Sequence, residues 1–296
     1  MKANNKYKRQ KPPLFSKPPF SLIKERGGLI IFLLNLQRML KLKKIKFFLP
    51  LLILILLFFA CNHLEIIKDE VNRNLKNEIK IVHISDLHLK RDKKIYQKVI
   101  DTINNIDPDL LFITGDSVSN NKKLPLLNKI LSKLNKSIKK YAILGNHEYF
   151  SKLNINDLED TYKKNGVKLL VNSGETFTIK ETVINLWGMD DYVPNLKNFN
   201  YMDDAINIIM VHCPVYFDEI AKKYPDNEII VLSGHTHGGQ IIFFGKPILL
   251  PEGCGNYLKG KYIKGKLCLY VSKGIGNTGI DLRIHANPDI IFIGLK

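Results

Sequence analysis

From residue 78 onward, apolar strand-like runs alternate with helical stripes, and each strand stops at a short polar motif. Few folds satisfy that pattern. Residues 78–85 (EIKIVHIS) read as a strand, and Ile95, Val99, Ile103 and Ile106 then recur at helical spacing. Asp107-Pro108 ends that helix, and residues 110–114 (LLFIT) read as a buried strand. Leu127, Ile130, Leu131, Leu134 and Ile138 make a second helical stripe before a strand over 141–144. The later half is richer in strands, expected at 167–171, 176–179, 183–187, 206–211, 229–232, 241–244, 267–271 and 290–293, with a helix over 214–222. Alternating units followed by a run of strands predict an α/β (α+β) chain with a mixed sheet, or two packed sheets, and helices outside.

Ahead of this body, residues 47–61 (FFLPLLILILLFFAC) run without a charge. The formal net charge of +17 sits mostly before that run: residues 1–46 hold 13 Lys/Arg against the single acid Glu25, which leaves the rest of the chain at +5. Basic residues followed by an apolar stretch read as membrane targeting, and the charge as topology rather than as a nucleic-acid arm. Fifteen residues have the length of a signal-peptide h-region and fall short of a comfortable transmembrane helix. The segment closes on Phe58-Phe59-Ala60-Cys61, similar to the lipobox of bacterial lipoproteins apart from the two phenylalanines. A lipoprotein signal acylated at Cys61 and an uncleaved anchor both stay open, as do Met1 and Met39 as the start. Either way the basic side belongs in the cytoplasm, and everything after Cys61 outside it. Residues 62–77 are expected to be a tether or a short lead-in helix, and residues 78–296 one domain.

Five polar clusters follow expected strands: Asp86-Leu87-His88, Gly115-Asp116, Gly145-Asn146-His147-Glu148, Val211-His212 and Gly234-His235-Thr236-His237. In open α/β sheets the carboxyl ends of strands converge on ligands. The clusters offer carboxylates, an amide and imidazoles without a thiolate, a donor set for Mn, Fe, Zn or Mg. A D-x-H triplet is expected about once by chance in such a chain, whereas G-N-H and G-H-x-H are each rare. Their joint occurrence, in this order and after successive strands, is specific.

That order resembles the calcineurin-like metallophosphoesterases over residues 78–296. The GHTHGGQ form, the tail SKGIGNTGIDLRIHANPDI and the apolar segment resemble its membrane-anchored bacterial branch, the YaeI- and YkuE-type phosphodiesterases. The resemblance implies two mixed sheets sandwiched between helices and two divalent metal ions. It implies Asp86, His88 and His237 at one metal, Asn146, His212 and His235 at the other, and Asp116 bridging. His147 would face the substrate, and Glu148 would orient a ligating or catalytic histidine. The implied reaction is hydrolysis of a phosphodiester or phosphomonoester by metal-activated water. UDP-diacylglucosamine, a lipid A precursor, is the most concrete substrate in that branch; it is made in the cytoplasm, which conflicts with a domain facing outward.

Other readings are weighed beside this one. A nuclease or cyclic-nucleotide phosphodiesterase would use the same metal core, but a body charge of +5 speaks against a long nucleic-acid groove. A non-catalytic envelope-binding lipoprotein would be expected to have lost ligands, and all seven positions hold competent ones. His63, His83 and His285 are expected to be structural or at the surface, Asp190 and Asp191 to form a turn, and Cys213 to pack. Arg283 is a candidate for meeting a substrate phosphate.

Overall fold

Apolar residues at nearly every position of 110–114 and 229–233 demand strands covered on both faces. The computed structural model, which describes residues 63–296, meets that demand with two stacked sheets. In chain order the first half holds β1 (Glu65–Val71), β2 (Ile79–Ile84), α1 (Lys94–Ile106), β3 (Leu110–Thr114), α2 (Leu124–Leu131), β4 (Lys139–Ile143), α3 (Asn146–Phe150), α4 (Ile155–Lys164) and β5 (Val167–Leu169). The second half holds β6 (Ser173–Ile179), β7 (Thr182–Gly188), β8 (Ile206–Met210), α5 (Tyr216–Lys223), β9 (Ile229–Ser233), β10 (Ile242–Phe243), β11 (Lys246–Pro247), β12 (Gly260–Lys264), β13 (Leu267–Val271) and β14 (Asp289–Leu295). The basic tail and the apolar segment 47–61 lie outside the described residues. Among the described residues, no helix is long and apolar enough to cross a membrane.

One six-stranded sheet has the order β1-β14-β2-β3-β4-β5 and the other β12-β13-β9-β8-β7-β6. Strands β2 to β5 run parallel, as do β7, β8, β9 and β13, while β14, β12 and β6 supply the antiparallel pairings. Both sheets are thus mixed. Alternate residues of each strand meet between the sheets: Ile81, Phe112 and Tyr141 from one face Leu186, Met210 and Leu232 from the other in a single apolar layer. The outer faces are covered by α1, α2 and α4 on one side and by α5 on the other. The layers are therefore helix, sheet, sheet, helix, as the resemblance implies.

Residues 65–71 differ from expectation. Expected within a tether or lead-in helix, they form β1, an edge strand paired in parallel with β14 from Glu65↔Asp289 to Val71↔Leu295. Their pattern is charged on both faces because an edge strand is largely exposed, so the strand period is hard to read. Since β14 runs antiparallel to β2, with Ile291 opposite His83, Glu65 lies at the end of the sandwich where β2 finishes.

Candidate metal centre

The parallel strands β2, β3, β4, β8 and β9 all release their chains at one end of the sandwich, and the five polar clusters lie there together. Three of them turn under strain. Asp86, His88, Asp116, His235 and His237 all have positive φ, between 40° and 71°. Non-glycine residues rarely adopt this region, and they cluster where function requires a particular side-chain direction. Neighbouring glycines make the close approach possible: a Cβ on Gly234 would collide with Ser85 Oγ and Asp86 Oδ2, and one on Gly145 with the Asp116 carboxylate and the His212 ring.

All seven expected metal-binding side chains come together and are buried. On one side, His88 Nε2 stands 3.1 Å from His237 Nε2, and Asp86 Oδ1 lies 3.7 Å from the former and 3.4 Å from the latter. On the other, Asn146 Oδ1 is 3.0 Å from both His212 Nε2 and His235 Nδ1. Asp116 Oδ2 sits between, 3.3 Å from His88 Nε2 and 3.4 Å from His212 Nε2. His147 is half-buried; its ring meets that of His88 edge-on at 4.5 Å, and its N–H donates to Asp116 Oδ1 at 2.8 Å. Its ligand atom also falls in a tight group with those of His88 and Asp116.

These groups fit a divalent cation. Asp86 Oδ1 is buried with no hydrogen-bond partner, although a buried carboxylate oxygen left bare is costly. Burial alone would raise the Asp86 carboxyl, but the neighbouring His237 and His88 rings hold it below the usual range. Asp116 behaves alike: against burial, His212 and His147 hold it well below its ordinary value. Burial disfavours a proton on His212, yet the Asp116 carboxylate raises it well above its usual value, while burial lowers His235 to about 4 and also lowers His237 and His147. Carboxylates held ionised beside imidazoles mostly held neutral are what metal ligation requires.

Backbone carbonyls orient the ring nitrogens that point away from the centre. Thr114 O lies 2.7 Å from His212 Nδ1, and Glu252 O 2.6 Å from His235 Nε2. Sequence reasoning missed both, since a carbonyl has no side-chain signature.

A profile of the calcineurin-like phosphoesterases matches residues 79–239. The chain belongs to that family. An uncharacterized metallophosphoesterase of Aquifex aeolicus is 33% identical over 238 residues, covering 74% of this chain and 85% of its own. One of Campylobacter jejuni is 34% identical, covering 75% of this chain and 60% of its own. The uncharacterized metallophosphoesterase YkuE of Bacillus subtilis is 34% identical, covering 73% of this chain and 79% of its own. As a calcineurin-like phosphoesterase, the protein is a metal-dependent phosphoric ester hydrolase.

Two expected roles change. Glu148, expected to orient a histidine, accepts backbone N–H groups instead: Asp116 and Gly145 on Oε2 at 3.0 and 2.9 Å, Ser117 and Val118 on Oε1 at 2.7 and 3.3 Å. It clamps the Asp116 loop against the start of α3. Arg283 is 1% exposed and cannot reach a phosphate; it donates to the carbonyls of Gly276, Ala286 and His237, and to Asn277 Oδ1. Its Nη2 lies 3.3 Å from His237 Nδ1, so it steadies the His237 loop.

The remaining residues stand as follows. His83 is a buried core histidine, 2.8 Å from Thr114 Oγ1 and lowered to about 3 by burial, while His63 and His285 are at the surface. Asp190 accepts from Tyr149 Oη and from the Tyr192 N–H in the expected turn, whereas Asp191 turns toward His212 and Cys213 and is raised to about 6 by burial. Cys213 is buried, and its thiol is raised well above the usual value, first by burial and then by Asp191. That suits packing rather than reactivity.

Proposed function

We propose that the protein is a membrane-tethered phosphoesterase with two divalent metal ions, hydrolysing a phosphodiester or phosphomonoester of a lipid-linked or envelope substrate. The observation that carries the dinuclear reading is the pair of facing ligand groups with one carboxylate, Asp116, within 3.4 Å of a histidine from each. Asp86, His88 and His237 would hold one ion, and Asn146, His212 and His235 the other. Divalent cations held this way lower the pKa of water toward neutrality and offset charge on phosphoryl oxygens. The chain's own part is positional. His147, the half-exposed member of the set, offers a ring N–H to the leaving oxygen or to a phosphoryl oxygen. Glu148 and Arg283 keep the Asp116 and His237 loops in register, so the ligands need little reorganisation on binding.

The tether is residues 47–61, as an anchor or through a lipid on Cys61. The positive-inside rule then puts the catalytic domain outside the cytoplasmic membrane of a bacterium. Tethering raises the local concentration of a membrane-borne substrate. UDP-diacylglucosamine stays a candidate only if the domain faces the cytoplasm.

The test uses detergent-solubilised full-length protein, stripped with chelator and resupplied with Mn²⁺, acting on a chromogenic phosphodiester and on a phosphomonoester. Turnover that needs metal, and that falls by about 100-fold or more in Asn146→Ala, is expected. The preferred ester fixes the substrate class. A folded protein that turns over neither ester nor a lipid-linked nucleotide with any divalent metal would refute the reading.

A further inference from the structure

Strands β10 and β11 form a short hairpin, with Ile242 opposite Pro247 and Phe243 opposite Lys246. It rises between two parts of the metal centre. Gln240, three residues past His237, precedes it, and Glu252, whose carbonyl meets His235, follows it. Its base is fixed: the Ile242 N–H donates to Ile284 O and the Ile248 N–H to Ile241 O, both at 3.0 Å.

The tip is uncovered. Phe244 is 92% exposed and Phe243 47%, their rings 4.6 Å apart, and Ile248, Leu249 and Leu250 are each about half exposed. Single exposed apolar residues are ordinary, but five among nine consecutive positions make a contiguous patch. Residues 240–250 carry no acid and one base, Lys246. The turn itself is unusual. Phe244 has φ 48° and Gly245 φ 76°, where Asn-Gly or Asp-Gly is the favoured pair. An aromatic ring held there gains little from the protein it projects away from.

The point at which the chain enters the domain lies at the same end. Glu65 opens β1 opposite Asp289, and its carboxylate pairs with Lys273, just past the end of β13. The four residues from Cys61 to Glu65 span at most roughly 14 Å. A membrane segment at 47–61 therefore holds the metal-centre end of the sandwich close to the bilayer.

We propose that the 242–250 rim is a bilayer-contacting edge. The two phenylalanines and the following aliphatic run enter the interfacial layer of phospholipid, Lys246 lies among the headgroups, and the metal centre faces the membrane surface. The proposal rests on residues 47–61 being the membrane segment, and the test separates the two.

Full-length protein is reconstituted into phosphatidylcholine–phosphatidylglycerol vesicles with or without bromine on the acyl chains. Native Trp187, 7% exposed, provides a buried baseline. F244W places a probe on the rim, and I263W places one on an exposed position at the opposite end, since Ile263 pairs with Cys268 near the start of β13. The expected result is blue-shifted emission from F244W, with most of the added signal lost in brominated lipid, and no such loss from I263W. If the protein floats with the vesicles while F244W emits as in water and is open to acrylamide, the rim proposal fails and the anchor stands. If the protein does not float with the vesicles, both fail. If F244W is shielded from both quenchers and the protein is dimeric in detergent, the rim binds a second copy, and the bilayer proposal fails.

Discussion

Glu148 illustrates how far a residue's role can depart from its place in a motif. It follows a ligand candidate, Asn146, and a histidine expected to face substrate, His147, yet its oxygens are taken by four backbone N–H groups. Burial and the nearby Asp116 charge push its carboxyl up to about 8, and the N–H donors oppose the rise. Glu148→Gln leaves one acceptor oxygen for four donors. It should therefore cost about 1–3 kcal/mol of stability, with activity falling alongside. Thermal unfolding and turnover measured on the same sample check this; lost turnover at an unchanged Tm would instead make Glu148 a participant in the chemistry. Asp289 carries a second residue-scale prediction. It is 2% exposed, accepts from Ser272 Oγ at 2.7 Å and from the Lys273 N–H at 2.9 Å, and burial raises its carboxyl to about 6. An acid with a raised folded-state pKa keeps a proton that the unfolded chain has already released. Stability thus falls as pH rises from about 4 to about 6, by on the order of 2–3 kcal/mol. Asp289→Asn retains an acceptor oxygen and removes the titration. In urea unfolding its stability relative to the parent should improve from about pH 4 to about pH 7, and a difference flat with pH would mean that Asp289 is ionised throughout.

At the scale of elements, legibility followed burial. Strands covered on both faces, such as β3, β9 and β13, show as unbroken apolar runs, and α1 shows its stripe because one face packs on the sheet while the other is wet. The site was readable for a related reason: ligand residues sit just past such strands, in motifs whose joint occurrence is rare. Elements at the margins were not readable. β12 (GKYIK) leaves Lys261, Ile263 and Lys264 exposed at a sheet edge, and α2 stops at Leu131 although Leu134 and Ile138 continue its stripe as buried turn residues. α4 carries a signal of its own, Ile155, Leu158 and Tyr162 at helical spacing behind an Asn154 cap. β1 is the case with consequences, because it covers β14 and pairs Glu65 with Lys273. Protein beginning at residue 78 exposes the β14 edge and leaves the 9%-exposed Lys273 side chain without that partner. It should unfold at lower temperature and aggregate, whereas protein beginning at residue 63 should match the full chain. Circular dichroism melts of the two lengths decide this, and equal melting would make β1 dispensable.

Across the whole molecule, the metal centre is where the two sheets meet through loops rather than through the apolar layer. Asp86, Asp116 and Asn146 leave strands or helices of one sheet, while His212, His235 and His237 leave the other, so metal held among them would tie the sheets together at that end. Cations bound only by the folded chain add stability by mass action, about 2.7 kcal/mol at a free concentration 100 times the Kd. For a domain of this size that corresponds to a rise in Tm of about 5–10 °C over chelated protein. The gain should shrink as pH falls, and the loss should set in above the range where an ordinary histidine titrates, because His212 must release its proton before it can ligate and the Asp116 carboxylate raises it well above that range. Hydrogen exchange sharpens the expectation. Metal should slow exchange most in the loops after β2, β3, β8 and β9 and leave the strands of the intersheet layer almost unchanged, since that layer is already closed by apolar packing. Uniform slowing over the whole domain would mean that metal binding and global folding are one event, with the sandwich unable to form until the ligands are drawn together.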